Sequence, residues 1–355
     1  MAFQASTNDE SRFDDTLINE TVFEKYIVLG KLGQGTFGEV YKAVDIDSNQ
    51  QVALKMENAP MPLLRLEYKL YQKLHTAKNT EGIPKVYQMG KVRGKPALVM
   101  ERLGVSLQQL FELSNKRLQL ATVVPLALQM INRLKQFHQT TGYVHRDIKP
   151  DNFVLGYRQR TNIVHLIDYG LAARFWDSDT VRHVPHNGQH KMLVGTMRYA
   201  SLNTHRGHTQ SRRDDMESLG YTLIYLLRGS LPWQGVRASS RPQKYERIHE
   251  MKLSTPIEQL CHGLPETFAH YLIYCRRMRY SIEPEYHILR AMFYLLSCKL
   301  NISRDFQFHK LPELQKTKHT KTAHHSEHTC QHDHHRKRSA GDGCYVPNRK
   351  SYKQK

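Results

Sequence analysis

His145-Arg146-Asp147-Ile148-Lys149-Pro150-Asp151-Asn152 sets a carboxylate, a lysine and an amide on one short stretch, and Asp168-Tyr169-Gly170 follows sixteen positions after Asn152. This spacing suits phosphoryl transfer. Asp147 is placed to accept a hydroxyl proton, while Asn152 and Asp168 offer an amide oxygen and a carboxylate, the hard ligands that Mg²⁺ takes. A base and a metal site would then lie side by side.

Such chemistry also needs a phosphate cradle, and Gly33-Gln34-Gly35-Thr36-Phe37-Gly38-Glu39-Val40 has the glycine spacing that lets backbone N–H groups approach phosphate oxygens. Glycine-rich turns are common, so the flanks decide the reading. Tyr26 to Leu32 and Val40 to Val44 both read as strands, which makes the loop a hairpin turn; a dinucleotide fold would put a helix there. Val52-Ala53-Leu54-Lys55 then reads as a strand whose lysine pairs with the α- and β-phosphates and with a helix glutamate. Glu67 is the natural partner, on a stretch from Pro62 to Leu74 where Leu63, Leu66, Leu70 and Leu74 recur at helical spacing. Taken singly, Lys55 or Glu67 is an ordinary solvated charge. Four motifs in this order outweigh that reading.

Longer matches accompany the motifs: Lys149-Pro150-Asp151-Asn152-Phe153, the run from Gly195 to His205, Gln210 to Asp215, Gly229 to Gly235, and Lys244 to Ile248. On these residues the chain resembles eukaryotic-type protein kinases, and within them the casein kinase I family, over roughly residues 20 to 305. Ser201-Leu202-Asn203 is similar to the S-I-N of that family, where most kinases carry A-P-E. The resemblance implies an α+β, bilobal protein-kinase fold, with a small, mainly antiparallel β N-lobe carrying one helix and a larger, mainly helical C-lobe. It implies transfer of the γ-phosphoryl group of ATP, with Mg²⁺, to Ser or Thr of protein substrates. Lys55 would orient the phosphates beneath the glycine loop, and Lys149 would neutralise charge on the transferred group; tyrosine kinases usually lack lysine there. Leu32, Val40, Ala53 and Val154 would line the adenine pocket, Met100 would guard its back, and backbone groups of Glu101 and Leu103 would bind the adenine edge.

The same resemblance carries substrate sites. Arg198 and Lys244 match one anion site, with Gly235 alongside. A second would gather Arg146 and Lys191, but Ala173 stands where the family has lysine, and Arg174 is only adjacent. Together they point to acidic or phosphorylated protein substrates, with the negative group N-terminal to the target. Asp215 matches the buried aspartate that anchors the catalytic-loop backbone in kinases. Tyr169 replaces the usual phenylalanine and brings a hydroxyl that needs a partner if buried. The competing reading is a pseudokinase or scaffold on the same fold, against which Lys55, Glu67, Asp147, Asn152 and Asp168 are all retained.

A chain of 355 residues exceeds a kinase domain, and its composition divides it. Residues 1–19 are polar and aperiodic, and are expected to be disordered. Residues 20–101 read as a five-stranded N-lobe with one helix, a hinge follows, and 105–305 read as the C-lobe. Within it Thr122 is a candidate cap for a long helix with Pro125 in its first turn, and Val123, Ala127, Met130, Ile131, Leu134 and Phe137 as its buried stripe. Residues 311–355 form a basic, His-rich tail expected to be disordered, with seven histidines and Cys330 between His319 and His335; adventitious metal binding is the favoured reading over a built Zn²⁺ site.

The formal net charge is +19, and the last 45 residues, with ten Lys or Arg against four acids, contribute +6 of it. The domain itself is therefore basic, which suits acidic partners and accessory contacts with nucleic acid or lipid surfaces. Five unpaired-looking cysteines and an N-terminus without a basic start and apolar core point to a reduced, cytoplasmic or nuclear protein, expected to act as a monomer. The apolar run from Leu219 to Leu227 is half a bilayer span and reads as a buried helix.

Overall fold

The computed structural model describes residues 17–35, 38–58, 63–186 and 194–304. Thr36, Phe37, Pro62, Lys191 and the tail from 311 lie outside the described residues.

Alternating apolar residues build a six-stranded antiparallel sheet from β1 (Thr21–Val22), β2 (Tyr26–Gly35), β3 (Gly38–Asp45), β4 (Gln51–Glu57), β5 (Val86–Val92) and β6 (Lys95–Glu101), in the order β1-β2-β3-β4-β6-β5. The period of two gives the sheet two jobs. Val52, Leu54 and Met56 face a core with Val28, Tyr41, Ala43, Ala97 and Val99. Ala53, Lys55 and Glu57 take the opposite face, toward α1 (Leu63–His75). The expected count of five strands misses β1, which pairs Thr21 with Ile27 and Val22 with Tyr26. Its turn uses left-handed Phe23 and Glu24 rather than glycine or asparagine, so it carries no sequence signal. The packed region also starts before residue 20: Leu17 is buried in the same core, and the Asn19 amide donates to the Val28 carbonyl at 2.8 Å.

Beyond β6 the described chain is mainly helical: α2 (Leu107–Leu113), α3 (Leu120–Thr141), α4 (Leu202–His205), α5 (Arg212–Arg228), α6 (Arg241–Ser254), α7 (Ile257–Leu260), α8 (Glu266–Arg277) and α9 (Tyr286–Lys299). The expected stripe of α3 is buried throughout, and Gly142 closes the helix in the left-handed conformation at φ 73°. Thr122 is not its cap. Gln119 occupies that position, and the Thr122 amide already bonds back to the Gln119 carbonyl at 2.9 Å, so the helix begins two residues before the expected cap and Pro125 falls inside it. Leu219 to Leu227 are buried within α5, and among the described residues no helix is long and apolar enough to cross a membrane.

Short strand pairs carry the loops between these helices. β7 (Tyr143–Val144) pairs with β10 (Ala173–Arg174), β8 (Phe153–Leu155) with β9 (Val164–Leu166), and β11 (Trp176–Asp177) with β12 (Arg182–His183). β7 therefore delivers the chain to His145, while β9 ends two residues before Asp168.

Candidate active site

The loop after β7 is held from beneath. Asp215, buried in the first turns of α5, accepts the His145 amide at 2.6 Å and the Arg146 amide at 2.9 Å, and meets the His138 ring at 2.8 Å. Burial opposes the Asp215 charge, but the His138 contacts and the His145 ring and amide hold its pKa below the usual carboxylate value. Such an anchor is needed because Arg146 sits at φ 69°, a left-handed conformation that an isolated arginine disfavours.

Asp147 follows directly, and each carboxylate oxygen has a defined partner. Oδ1 accepts the Thr196 amide at 2.9 Å and its hydroxyl at 2.8 Å; Oδ2 accepts Lys149 Nζ at 2.6 Å. Asn152 donates its amide nitrogen to the Asp147 carbonyl at 2.8 Å, which leaves its oxygen as the atom offered to a cation. Thr196 reaches Asp147 because Gly195 precedes it at φ 92°, where an added Cβ would lie 2.2 Å from the Arg146 carbonyl oxygen. Only glycine fits there.

Lys55 joins the lobes. Its Nζ lies 2.6 Å from Glu67 Oε2 and 2.8 Å from Asp168 Oδ1. Burial disfavours the Lys55 charge, yet Asp168 and Glu67 more than compensate and raise its pKa; burial likewise opposes the Asp168 carboxylate, and Lys55 holds it below its ordinary value. The Tyr169 hydroxyl has the partner it requires, the Leu166 carbonyl at 2.7 Å, and its ring stacks on Phe137 at 4.8 Å. Burial raises the Tyr169 pKa, so the hydroxyl stays neutral.

The glycine loop is the expected hairpin, with Gly35 opposite Gly38. Its glycines differ in cause. A Cβ on Gly38 would lie 1.9 Å from the Met56 carbonyl oxygen, so packing explains that residue; Gly33 would meet nothing within 4 Å and Gly35 only the Gly38 oxygen at 4.0 Å. Among the described residues nothing fills the space above the latter two, as a phosphate cradle requires. Val40 lies opposite Lys55, and Ala53 opposite Met100, on the Lys55 face of the sheet. Ala53, Met100 and Val154 are buried while Leu32 is exposed at the rim. At the hinge the Glu101 amide donates to the Lys85 carbonyl at 2.7 Å, so its carbonyl, rather than its N–H, is the group offered to a ligand; Leu103 follows two residues on. Glu39, expected to act only as part of the loop, ties it instead through Lys31 at 2.6 Å and Tyr41 at 2.8 Å.

The anion-site residues are divided. The Arg198 guanidinium lies 5.5 Å from the Tyr225 ring and 5.7 Å from that of Tyr199, while Lys244 is exposed on α6 and Gly235, at φ 79°, borders open space. Arg146 directs Nε to the Leu171 carbonyl at 2.6 Å, and its intended partner Lys191 lies outside the described residues. Arg174 does not replace the lysine missing at Ala173. Successive residues of β10 point to opposite faces, and Arg174 lies over the Tyr143 ring at 5.8 Å.

Three residues of the site escape sequence reasoning. Thr196 binds Asp147 from 49 positions away. Lys252 is fully buried, donates to the Met197 carbonyl at 2.9 Å and the Ala200 carbonyl at 2.6 Å, and lies 5.0 Å from the Tyr221 ring; burial pushes its pKa well below that of an ordinary lysine. With Trp233 Nε1 on the Arg198 carbonyl at 2.8 Å, it fixes the backbone on both sides of Arg198. Glu57 caps α1 from β4, its Oε1 accepting the Leu63 amide at 2.8 Å and the Leu64 amide at 3.1 Å. The only sequence signal for these is a small polar residue after Gly195. A family model of the protein kinase domain matches residues 26–282.

Proposed function

Because the chain belongs to the protein kinase family, we propose that it is an ATP-dependent serine/threonine kinase of the casein kinase I type, acting on proteins with an acidic or phosphorylated residue N-terminal to the target. The contact that carries this reading is Lys149 Nζ on Asp147 Oδ2 at 2.6 Å, with Thr196 holding the other carboxylate oxygen. A fixed base with a cation beside it can take the proton from a serine or threonine hydroxyl and oppose the charge of the group being transferred.

The donor set fits ATP with Mg²⁺. Asn152 offers an amide oxygen and Asp168 a carboxylate already shared with Lys55, a hard oxygen pair suited to Mg²⁺. Bound there, ATP would supply the phosphoryl group and Mg²⁺ would spread its charge. Lys55, kept protonated by its two carboxylates, binds phosphate oxygens and orients them. Asp147 Oδ2 keeps Lys149 while an incoming hydroxyl would displace the long 3.4 Å contact from the Asn152 amide nitrogen, and Thr196 prevents the carboxylate from rotating away.

Substrate selection rests on Arg198 and Lys244. Arg198→Ala and Lys244→Ala should each lower kcat/KM for a peptide phosphorylated N-terminal to its target by about ten- to a hundredfold, the equivalent of about 1.5–3 kcal/mol for a charge-assisted contact. An unprimed peptide should lose little. Equal losses on both peptides contradict anion-directed recognition, and no transfer to either by the wild type favours a scaffold.

A further inference from the structure

The position of α1 decides whether Glu67 reaches Lys55, and β4 grips that helix twice. Lys55 and Glu57 are two residues apart on one face of the strand. Lys55 binds Glu67, and Glu57 binds the amides of Leu63 and Leu64, one turn earlier on the same helix. Lys73 and His75 tie the last turn of the helix to the Thr141 and Pro84 carbonyls, each at 2.9 Å, so the two contacts from β4 are what hold its first turns.

The chemistry of the second contact is specific. A helix N-terminus exposes unpaired amides and a partial positive charge, which a carboxylate stabilises. The first turn of α1, Leu63-Leu64-Arg65-Leu66, contains no acid and carries a cation. Glu57 supplies the missing charge from another element. It is 5% exposed, and its Oε2 has no hydrogen-bond partner among the described residues, so the helix amides are what hold the carboxylate. Between the two grips lies a cavity of about 10 Å³ bordered by Lys55, Glu57, Leu63, Glu67 and Asp168, with room for about one water. Gly170, two residues after Asp168, packs on the same turn, where a Cβ would lie 3.3 Å from Leu63 Cβ.

We propose that Glu57 is a positioning residue that latches α1 against β4 and so holds Glu67 within reach of Lys55. The latch rests on the phosphotransfer reading for its consequence, but its geometry can be measured without turnover.

The test compares the full chain with Glu57→Leu, which keeps the bulk and removes the acceptor. Hydrogen exchange across residues 63–66 should accelerate about two- to thirtyfold, the range for loss of one helix cap, and kcat should fall with it. In a Glu67→Gln background the same change should lower kcat by less than about twofold, because a latch that works through Glu67 has nothing left to position. Fully additive losses, or unchanged exchange, overturn the proposal. Should Glu57→Leu fail to fold, Glu57→Gln retains one acceptor oxygen and removes the charge; exchange in the first turn must still rise, and an unchanged rate overturns the latch. A wild-type chain without phosphotransfer sinks the functional reading, while the exchange result continues to decide the latch.

Discussion

Replacing Asp215 by asparagine should damage the catalytic loop out of proportion to the single oxygen it removes. The carboxylate accepts two backbone amides, His145 at 2.6 Å and Arg146 at 2.9 Å, and meets the His138 ring at 2.8 Å. An asparagine keeps one acceptor and turns a donor toward one of these groups, so a buried donor loses its partner and the others lose a charged one. Each hydrogen bond to a charged acceptor is worth about 1.5–3 kcal/mol, and a buried donor left without a partner costs about 1–3 kcal/mol. A loss near 3 kcal/mol lowers Tm by roughly 5 °C in a domain of this size. The variant should therefore fold, with a clear thermal shift. Because Arg146 stays at φ 69° only while its amide is gripped, Asp147 should move as well, and a misplacement of about 1 Å can cost about a hundredfold in rate. Thermal melts and steady-state kcat on one preparation test both parts. Wild-type Tm with wild-type kcat would refute the anchoring role of Asp215, and a lower Tm with full activity would show that the loop holds its geometry without it.

Acid should destabilise the fold through buried imidazoles. Burial holds the His165 pKa near about 4 and the His205 pKa near about 3, so from pH 6.5 downward the unfolded chain takes protons that these rings refuse in the folded state, and stability falls. His165→Gln or His205→Gln should make the slope of unfolding free energy shallower by about 1.4 kcal/mol per pH unit between pH 6.5 and 4, as read by urea titration; an unchanged slope would contradict the assignment. Gly195→Ala places a Cβ 2.2 Å from the Arg146 carbonyl oxygen and should separate Thr196 from Asp147, with kcat reduced and the KM for ATP little changed. Full activity in that variant would mean Thr196 does not orient the base.

The candidate catalytic residues were legible because their spacing is local. Asp147, Lys149 and Asn152 lie within six positions, and the strand motif ending in Lys55 points to an acid on the next helix, where Glu67 stands. Contacts that span the chain left no comparable trace. Thr196 is an ordinary small residue until Gly195 brings it to Asp147, and Lys252 reads as one more cation on a polar helix although it is buried between Met197, Ala200, Tyr221 and Trp233. Glu57 gives no capping signal because its helix begins six residues later and a cap is normally sought beside the first turn. Arg174 shows the limit of adjacency as an argument: one residue along a strand reverses the side-chain direction, so it cannot stand in for a lysine at position 173.

The most direct measurement is transfer of labelled phosphate from ATP with Mg²⁺ to a serine peptide bearing an N-terminal phosphoserine, by the wild type and by Asp147→Asn, with melting curves recorded for both. The account predicts turnover by the wild type and loss of at least about a hundredfold in the variant, with the fold retained, since the base is removed while the core is untouched. Comparable turnover by the two proteins, at matching stability, would contradict the assignment of Asp147 as the catalytic base.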